Sequence, residues 1–339
     1  MKKKLFLITN ESIYVDKKNN FFCDNIDLKS IPENLNKFSE VNIIGRYSKI
    51  ERSKKIDINN INIFKNIFTY LFYIFQSFKK DDAKYLIISL SPYTFMASIL
   101  LKLFFKKHFI YFRSDGFEEY KAILGYLGYI IYYIIFKIGI INSNLIACRE
   151  HLLKKNNGVI VNPSQLKKKW FKEIKDVNAN KPNFLYVGRL RVEKGIFSLI
   201  EIIEKSNFSL TIVTSEKNVK LKKNYKNINL ISFENYNDAI IEYYDQHNIF
   251  ILPSYTEAHP QVLDESLARN RPVIVFKEIS HVKRDREGVF ICERNLKSLE
   301  NTVNYIISNY ENILTKIKEN KLPTQEKFIN ELSKILFKS

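Results

Sequence analysis

Residues 251–276, ILPSYTEAHPQVLDESLARNRPVIVF, constrain the chain more than any other stretch. An apolar run, a polar loop, a helix start and a second apolar run follow one another there, the signature of two buried strands joined by a helix. Pro260 suits the first helical turn, because its fixed φ fits and its missing N–H would have no partner anyway. Leu263 and Leu267, four apart, share the core face. Asn270 stands where a left-handed cap ends the helix. Glu257 lies just before the helix and Glu265 just inside it. A helix start offers unpaired backbone N–H groups to anions. A carboxylate beside such a site suits a hydroxyl-rich neighbour of a phosphate, as in a sugar nucleotide. Glu265 pairs i,i+4 with Gln261 and is expected to point toward whatever lies over the first turn.

Spacing alone carries little. Glu193 and Glu201 repeat the eight-residue interval, and Glu201 reads as a solvated helix position. The strand, loop and helix around Glu257 and Glu265 make the difference.

A second segment, NFLYVGRLRVEKGIFSLIEIIE (183–204), starts with a short strand, Phe184 to Val187. Gly188 follows, where backbone turns or approaches a ligand closely. Gly195 opens a helix whose apolar residues Ile196, Leu199, Ile200 and Ile203 keep helical period. Arg189 and Lys194 stand on the loop between. Two cations at the carboxyl end of a strand can hold a diphosphate and neutralise its charge as it departs. The plainer alternative is a surface loop in a Lys-rich chain.

Together the loop GRLRVEKG, the segment PSYTEAHPQVLDES and the run LARNRPVIVF resemble the C-terminal domain of retaining GT-B glycosyltransferases of group 1, or family 4. VIVNPSQLKKKWF is similar to that family's linker, ISFENYNDAIIEYYDQHNIFILPS to its nucleotide-side loop with the next helix and strand, and REGVFICERNLKSLENTVNYI to its closing strand and helix. The likeness spans about residues 159–310; the first 150 residues share only the general plan. It implies that Arg189 and Lys194 bind the donor diphosphate and stabilise the leaving group, that Glu257 contacts the transferred sugar, and that Glu265 meets the ribose hydroxyls. The backbone from His259 through Pro260 and Gln261 to Val262 would cap the phosphate, and groups near Ser232 and Phe233 would meet the base. Gly188 belongs to the same donor set. Ala258 and His259 stand where Gly and Phe are common, so Ala restricts the loop and His could add a ligand contact.

The expected fold is α/β: GT-B, with two doubly wound Rossmann-like domains facing across a cleft and a C-terminal helix crossing back. At 339 residues the chain is long enough for two such cores. Expected strands are Lys4–Ile8, Tyr85–Ser89, Phe109–Phe112, Leu145–Ala147, Phe184–Val187, Leu210–Val213, Ile249–Leu252 and Val273–Val275. The boundary is placed in the basic stretch Asn162 to Pro182, giving an acceptor domain over 1–162, a nucleotide-sugar domain over 163–324, and a final helix from Gln325 returning to the first.

In YFRSDGFEEY, Arg113 and Asp115 follow a strand. Relatives often carry His where Arg113 stands. Asp115 either orients an acceptor hydroxyl or caps the next helix through Glu118 and Tyr120. Thr9, Asn10 and Glu11 follow the first strand, where relatives often have a glycine-rich loop. Asn10, Arg113 and Asp115 are the acceptor-side candidates.

The cysteines Cys23, Cys148 and Cys292 form no CxxC pair, which fits a reducing, cytoplasmic compartment. The apolar run Leu5–Ile8 is too short for a signal peptide. No Asp-x-Asp or HExxH occurs and the five His are scattered, so neither metal nor cofactor is expected.

The net charge of +18 fits anionic partners or a compositional bias equally well. Nucleic acid is not expected, since no recognition motif appears and Lys is dispersed. An anionic membrane surface suits Ile63–Phe78, Phe95–Phe109 and Ala122–Phe136, aromatic or apolar segments bordered by Lys. The last is apolar for 15 residues, shorter than the roughly 20 a span requires, and its Tyr and Gly suit a packed or interfacial helix. The expected activity is transfer of a sugar from a nucleoside-diphosphate sugar to a glycan or lipid-linked hydroxyl in bacterial surface-polysaccharide synthesis, at the inner face of the membrane. A catalytically silent scaffold and a basic membrane-binding protein without activity are the alternatives.

Overall fold

The structure is a computed structural model describing residues 3–80, 82–216, 219–221, 223–232 and 239–338. It divides into two units, one of residues 1–163 with 326–339, the other of residues 164–325.

The first unit is built on β1 (Lys4–Val15), in which Leu5, Phe6, Leu7 and Ile8 are all buried, the continuous apolar run of a strand covered on both faces. Elements follow as β2 (Phe21–Cys23), α1 (Ile26–Leu35), β3 (Glu40–Tyr47), β4 (Lys54–Ile56), β5 (Asn60–Phe64), α2 (Ile67–Phe78), β6 (Ala83–Ile88), α3 (Pro92–Leu103), β7 (His108–Phe112), α4 (Gly116–Gly139), β8 (Asn144–Ala147) and β9 (Val159–Ile160). The main sheet runs β5-β3-β1-β6-β7-β8-β9, all parallel, with β2 and β4 added antiparallel beside the end of β1. Thr9, Asn10 and Glu11 do not follow the first strand, as the sequence suggests. They lie inside it, at a register break between Ile8 and Ser12.

The segment expected as one packed or interfacial helix is a hairpin of two arms. Gly125 has φ 63 and ψ −150, outside helical values. Beyond it the chain doubles back, so that Phe117 stacks near Tyr129, Tyr132 and Phe136 with centroids 5.3, 4.9 and 5.3 Å away. A straight helix would hold Phe117 and Tyr132 about 22 Å apart. Gly128 permits the close return, since a Cβ there would lie 2.0 Å from the Tyr120 carbonyl oxygen.

The second unit is a six-stranded parallel sheet in the order β12-β11-β10-β13-β14-β15. Its elements are β10 (Asn183–Val187), α5 (Ile196–Glu204), β11 (Ser209–Thr214), β12 (Ile228–Ser232), α6 (Ile240–Gln246), β13 (Ile249–Leu252), α7 (Gln261–Ala268), β14 (Val273–Phe276), β15 (Val289–Cys292), α8 (Leu296–Ser308) and α9 (Tyr310–Ile317). The order reverses between β10 and β13, the point where open parallel sheets bind ligands. Arg269, 1% exposed, ties the entry segment to this sheet. Its guanidinium meets Asp245 at 2.7 and 2.8 Å and the carbonyls of Trp170, Lys172 and Glu173 at 2.7–3.2 Å.

The last helix, α10 (Gln325–Phe337), buries Phe328, Ile329, Leu332 and Leu336 in the core of the first unit, with Phe328 6.4 Å from the Tyr111 ring.

Candidate functional site

At the switch point of the second sheet the loops after β10 and β13 are pressed together. Gly195 makes this possible with φ 63, and a Cβ on it would sit 1.8 Å from the Pro253 carbonyl oxygen. The Tyr255 N–H donates to the Glu193 carbonyl at 3.0 Å. The contact brings two expected residues into one ion pair, Lys194 Nζ to Glu257 Oε1 at 2.6 Å, with side chains 24% and 11% exposed. The Ser254 hydroxyl donates to the same Oε1 at 2.8 Å. Glu257 is therefore held from two sides without being sealed from solvent.

Around β10, the Gly188 N–H bonds to the Val213 carbonyl and the Tyr186 hydroxyl closes the turn on the Arg189 carbonyl at 2.8 Å. Burial first, then the carboxylates Glu257 and Glu216, push the Tyr186 phenol up, which keeps it a neutral donor. Arg189 itself is exposed and makes no ion pair among the described residues. Glu216 joins neighbouring strand ends: its carboxylate accepts from the Leu190 N–H at 2.7 Å, and its carbonyl accepts from the Ser232 hydroxyl at 2.7 Å. Phe233 lies outside the described residues.

The helix after the acidic loop begins one residue later than Pro260 suggests. Pro260 is the N-cap, with extended ψ 109, and α7 starts at Gln261 with no side chain capping its first turn. The Gln261 side-chain oxygen accepts from the Gln165 N–H at 3.3 Å, and Val262 is half-buried. Asn270 has φ 54, as a left-handed cap requires. Glu265 is 5% exposed and its carboxylate accepts the Tyr244 hydroxyl at 2.8 Å.

Ala258 is half-buried beside Glu257, but the His259 ring is turned inward rather than offered to a ligand. Arg284 donates to His259 Nδ1 at 2.9 Å, and an arginine has no acceptor, so the ring proton sits on Nε2, 3.4 Å from Asp264 Oδ2. Asp264, fully buried, also meets Arg286 at 2.5 Å.

Several supporting groups escape the sequence reading. His281 bonds through Nε2 to the Glu257 carbonyl at 2.7 Å. Arg294 lies between the Tyr255 and Phe276 rings, 4.1 and 4.3 Å from their centroids, and meets Ser198 at 2.9 Å and Glu278 at 2.8 Å. That hydrogen bond holds the Glu278 carboxyl below its usual range. Tyr244, Ser254 and Glu216 complete the set. Only Ser254 had a local signal, its place in the Pro-Ser turn after the strand; the rest come from distant segments.

In the first unit, Arg113 pairs with Asp27 at 2.5 Å and meets Asn25 at 3.4 Å, while Asn25 donates to Glu11 at 2.6 Å. Thr9, Glu11, Asp27 and Arg113 line a small hollow beside the register break in β1. Asn10 Oδ1 is buried with no hydrogen-bond partner among the described residues. Asp115 caps α4 through the Phe117 N–H at 3.0 Å, not through Glu118 or Tyr120, and pairs with Lys154 at 2.7 Å. Among the described residues no group of three or more His, Cys, Asp or Glu is placed to hold a metal ion.

Comparison with known proteins agrees with this architecture. Residues 167–322 match the family model described as glycosyl transferases group 1. The whole chain is similar in structure to sucrose-phosphate synthase of Thermosynechococcus elongatus, with TM-score 0.70, 15% identity and 98% of each chain covered. It is similar to Anabaena HepE in complex with UDP and glucose, with TM-score 0.67, 12% identity and 99% of each chain covered. It is also similar to the apo form of WaaB, a lipopolysaccharide outer core galactosyltransferase, with TM-score 0.65, 12% identity and 99% of each chain covered. The fold is GT-B, and the family match with these neighbours supports a glycosyltransferase. No curated protein sequence matches the chain.

Proposed function

We propose that this protein is a retaining glycosyltransferase that moves a sugar from a nucleoside-diphosphate sugar to a hydroxyl of a glycan or lipid-linked acceptor, in the synthesis of a bacterial surface polysaccharide. One observation carries the reading: Lys194 and Glu257, 63 residues apart, meet at 2.6 Å over the switch point of a parallel sheet. UDP is bound by HepE, a structural neighbour of this chain.

In the proposed reaction Arg189 and Lys194 hold the diphosphate, helped by the uncapped first turn of α7. Glu257 meets the transferred sugar and Glu265 the ribose. The acceptor oxygen attacks the anomeric carbon on the face the diphosphate leaves. As the bond to the leaving oxygen breaks, that phosphate oxygen takes the acceptor's proton, so no separate base is needed. The protein cations carry the charge neutralisation, and the reaction is metal-independent on this reading. Asn10, Arg113 and Asp115 form the acceptor side. We place the work at the cytoplasmic face of an anionic membrane.

A thermal-shift series with UDP, GDP, ADP and CMP tests the reading. One nucleotide should raise the melting temperature, by an amount set by its affinity. No shift with any of the four refutes the donor site.

A further inference from the structure

We propose that the α4 hairpin is an apolar-tipped wedge that enters one leaflet of an anionic bilayer. This deepens the membrane-surface part of the reading above by naming the element and its depth.

The hairpin's tip is apolar and uncovered. Ile123, Leu124, Tyr126 and Leu127, on either side of the Gly125 break, are 73, 51, 73 and 62% exposed. Soluble monomers rarely leave such a cluster in water. Its base is anchored. Tyr132 and Phe136 are 2% exposed in the core, Asp115 caps the first arm, and the Gly139 carbonyl accepts the Ser98 hydroxyl of α3 at 2.6 Å.

By length and composition alone the 24-residue segment passes for a membrane span. The fold rules this out, because the arms run 116–124 and 126–139 and are about 13 and 21 Å long at 1.5 Å per residue. Each falls short of the roughly 30 Å hydrocarbon core. Only one leaflet is within reach.

Neighbouring elements extend the same surface. The connections from β5 to β6, β6 to β7 and β7 to β8 all advance one way across the sheet, and right-handed crossovers put α2, α3 and α4 on one face. There α2 exposes Phe68 and Phe72, one turn apart, and the end of α3 runs into Phe105, 96% exposed.

Charge selects the occupant. The exposed Lys121 flanks the tip and the exposed Lys137 the base. An apolar tip flanked by these two lysines matches anionic headgroups over acyl chains. A second copy docked through this surface would set those lysines against themselves. The exposed Glu118 and Glu119 sit on the first arm about a turn further from the tip.

The test is flotation of the full chain with vesicles of phosphatidylethanolamine and phosphatidylglycerol, and separately with phosphatidylcholine. Wild type should float with the anionic vesicles and far less with phosphatidylcholine. Ile123→Ser/Leu127→Ser should lose most of that binding, and Tyr126→Trp should be quenched by brominated lipid. Both side chains in the double variant are exposed, so its melting temperature and nucleotide response should match wild type. No flotation of wild type, unchanged flotation of the double variant, or a dimer that the double variant dissolves would overturn the wedge. The nucleotide shift reads the second unit alone, so failure of the donor site appears there and not in flotation.

Discussion

Gly195→Ala separates backbone strain from backbone collision. Gly195 and Gly125 share φ 63, so alanine suffers the same left-handed strain at each, about 1–2 kcal/mol. Their surroundings differ. Nothing lies within 4 Å of a Cβ at Gly125, whereas at Gly195 it would meet the Pro253 carbonyl oxygen at 1.8 Å. Reaching even 3.0 Å requires the two loops to part by about 1.2 Å. Backbone cannot rotate aside as a side chain can, so a further overpacking penalty of about 1–3 kcal/mol applies. Gly195→Ala should thus destabilise the second unit by about 2–5 kcal/mol, lowering its melting temperature by about 4–20 °C, against about 1–2 kcal/mol for Gly125→Ala. The parting also pulls Lys194 from Glu257, and a misplacement near 1 Å can cost about 10²-fold in rate. Differential scanning fluorimetry of both variants, with donor turnover, checks both parts. Equal destabilisation by the two substitutions would refute the close approach.

Glu257→Gln and Lys194→Ala should each reduce transfer by about 10²- to 10³-fold while melting near wild type; near-normal turnover in both would unseat the donor assignment. His108 and His247 are held below the ordinary histidine value of 6.5, chiefly by burial. The unfolded chain then binds protons that the fold refuses, so stability is full above 6.5 and falls as pH drops below it, visible as a declining melting temperature. His108→Gln should flatten that decline, since the ring's Nε2 accepts from Ser143 at 2.7 Å only when unprotonated. Arg269→Met should destabilise by about 3–5 kcal/mol in urea melts, because it strips both hydrogen bonds from buried Asp245, leaving it only the longer Arg271 contact at 3.7 Å, and unpairs three carbonyls.

Much of the fold is legible because its strands are short continuous apolar runs. Phe184–Val187, Ile249–Leu252 and Val273–Val275 are buried throughout, and such runs between helical periods imply a parallel sheet. β3 is harder to read, since Glu40, Asn42 and Arg46 interrupt its apolar residues. The hairpin in α4 is hidden for a different reason: its sequence keeps an apolar character straight through the break, and only the pairing of Gly125 with Gly128 marks the return. Period describes one arm at a time and is silent on a tertiary fold-back.

The site divides along the same line. Residues whose identity is locally constrained, such as Gly195, Glu257 and Asn270, can be picked out from the strand-loop-helix pattern. The groups that aim them cannot, because His281 stands 24 residues from Glu257, Arg284 25 from His259 and Arg294 40 from the Ser254 carbonyl it meets. His259 shows the consequence: chemistry suggests a ligand contact, but Arg284 and Asp264 claim both ring nitrogens. The same reasoning distinguishes the two cations. Lys194 spends one of its three donors and part of its charge on Glu257. Arg189, exposed and without an ion pair among the described residues, keeps its full charge. An anion arriving at these loops meets a neutralised pair on one side and a whole positive charge on the other. On the proposed donor-site reading, a diphosphate would therefore be drawn most strongly to Arg189, with Lys194 already oriented by Glu257.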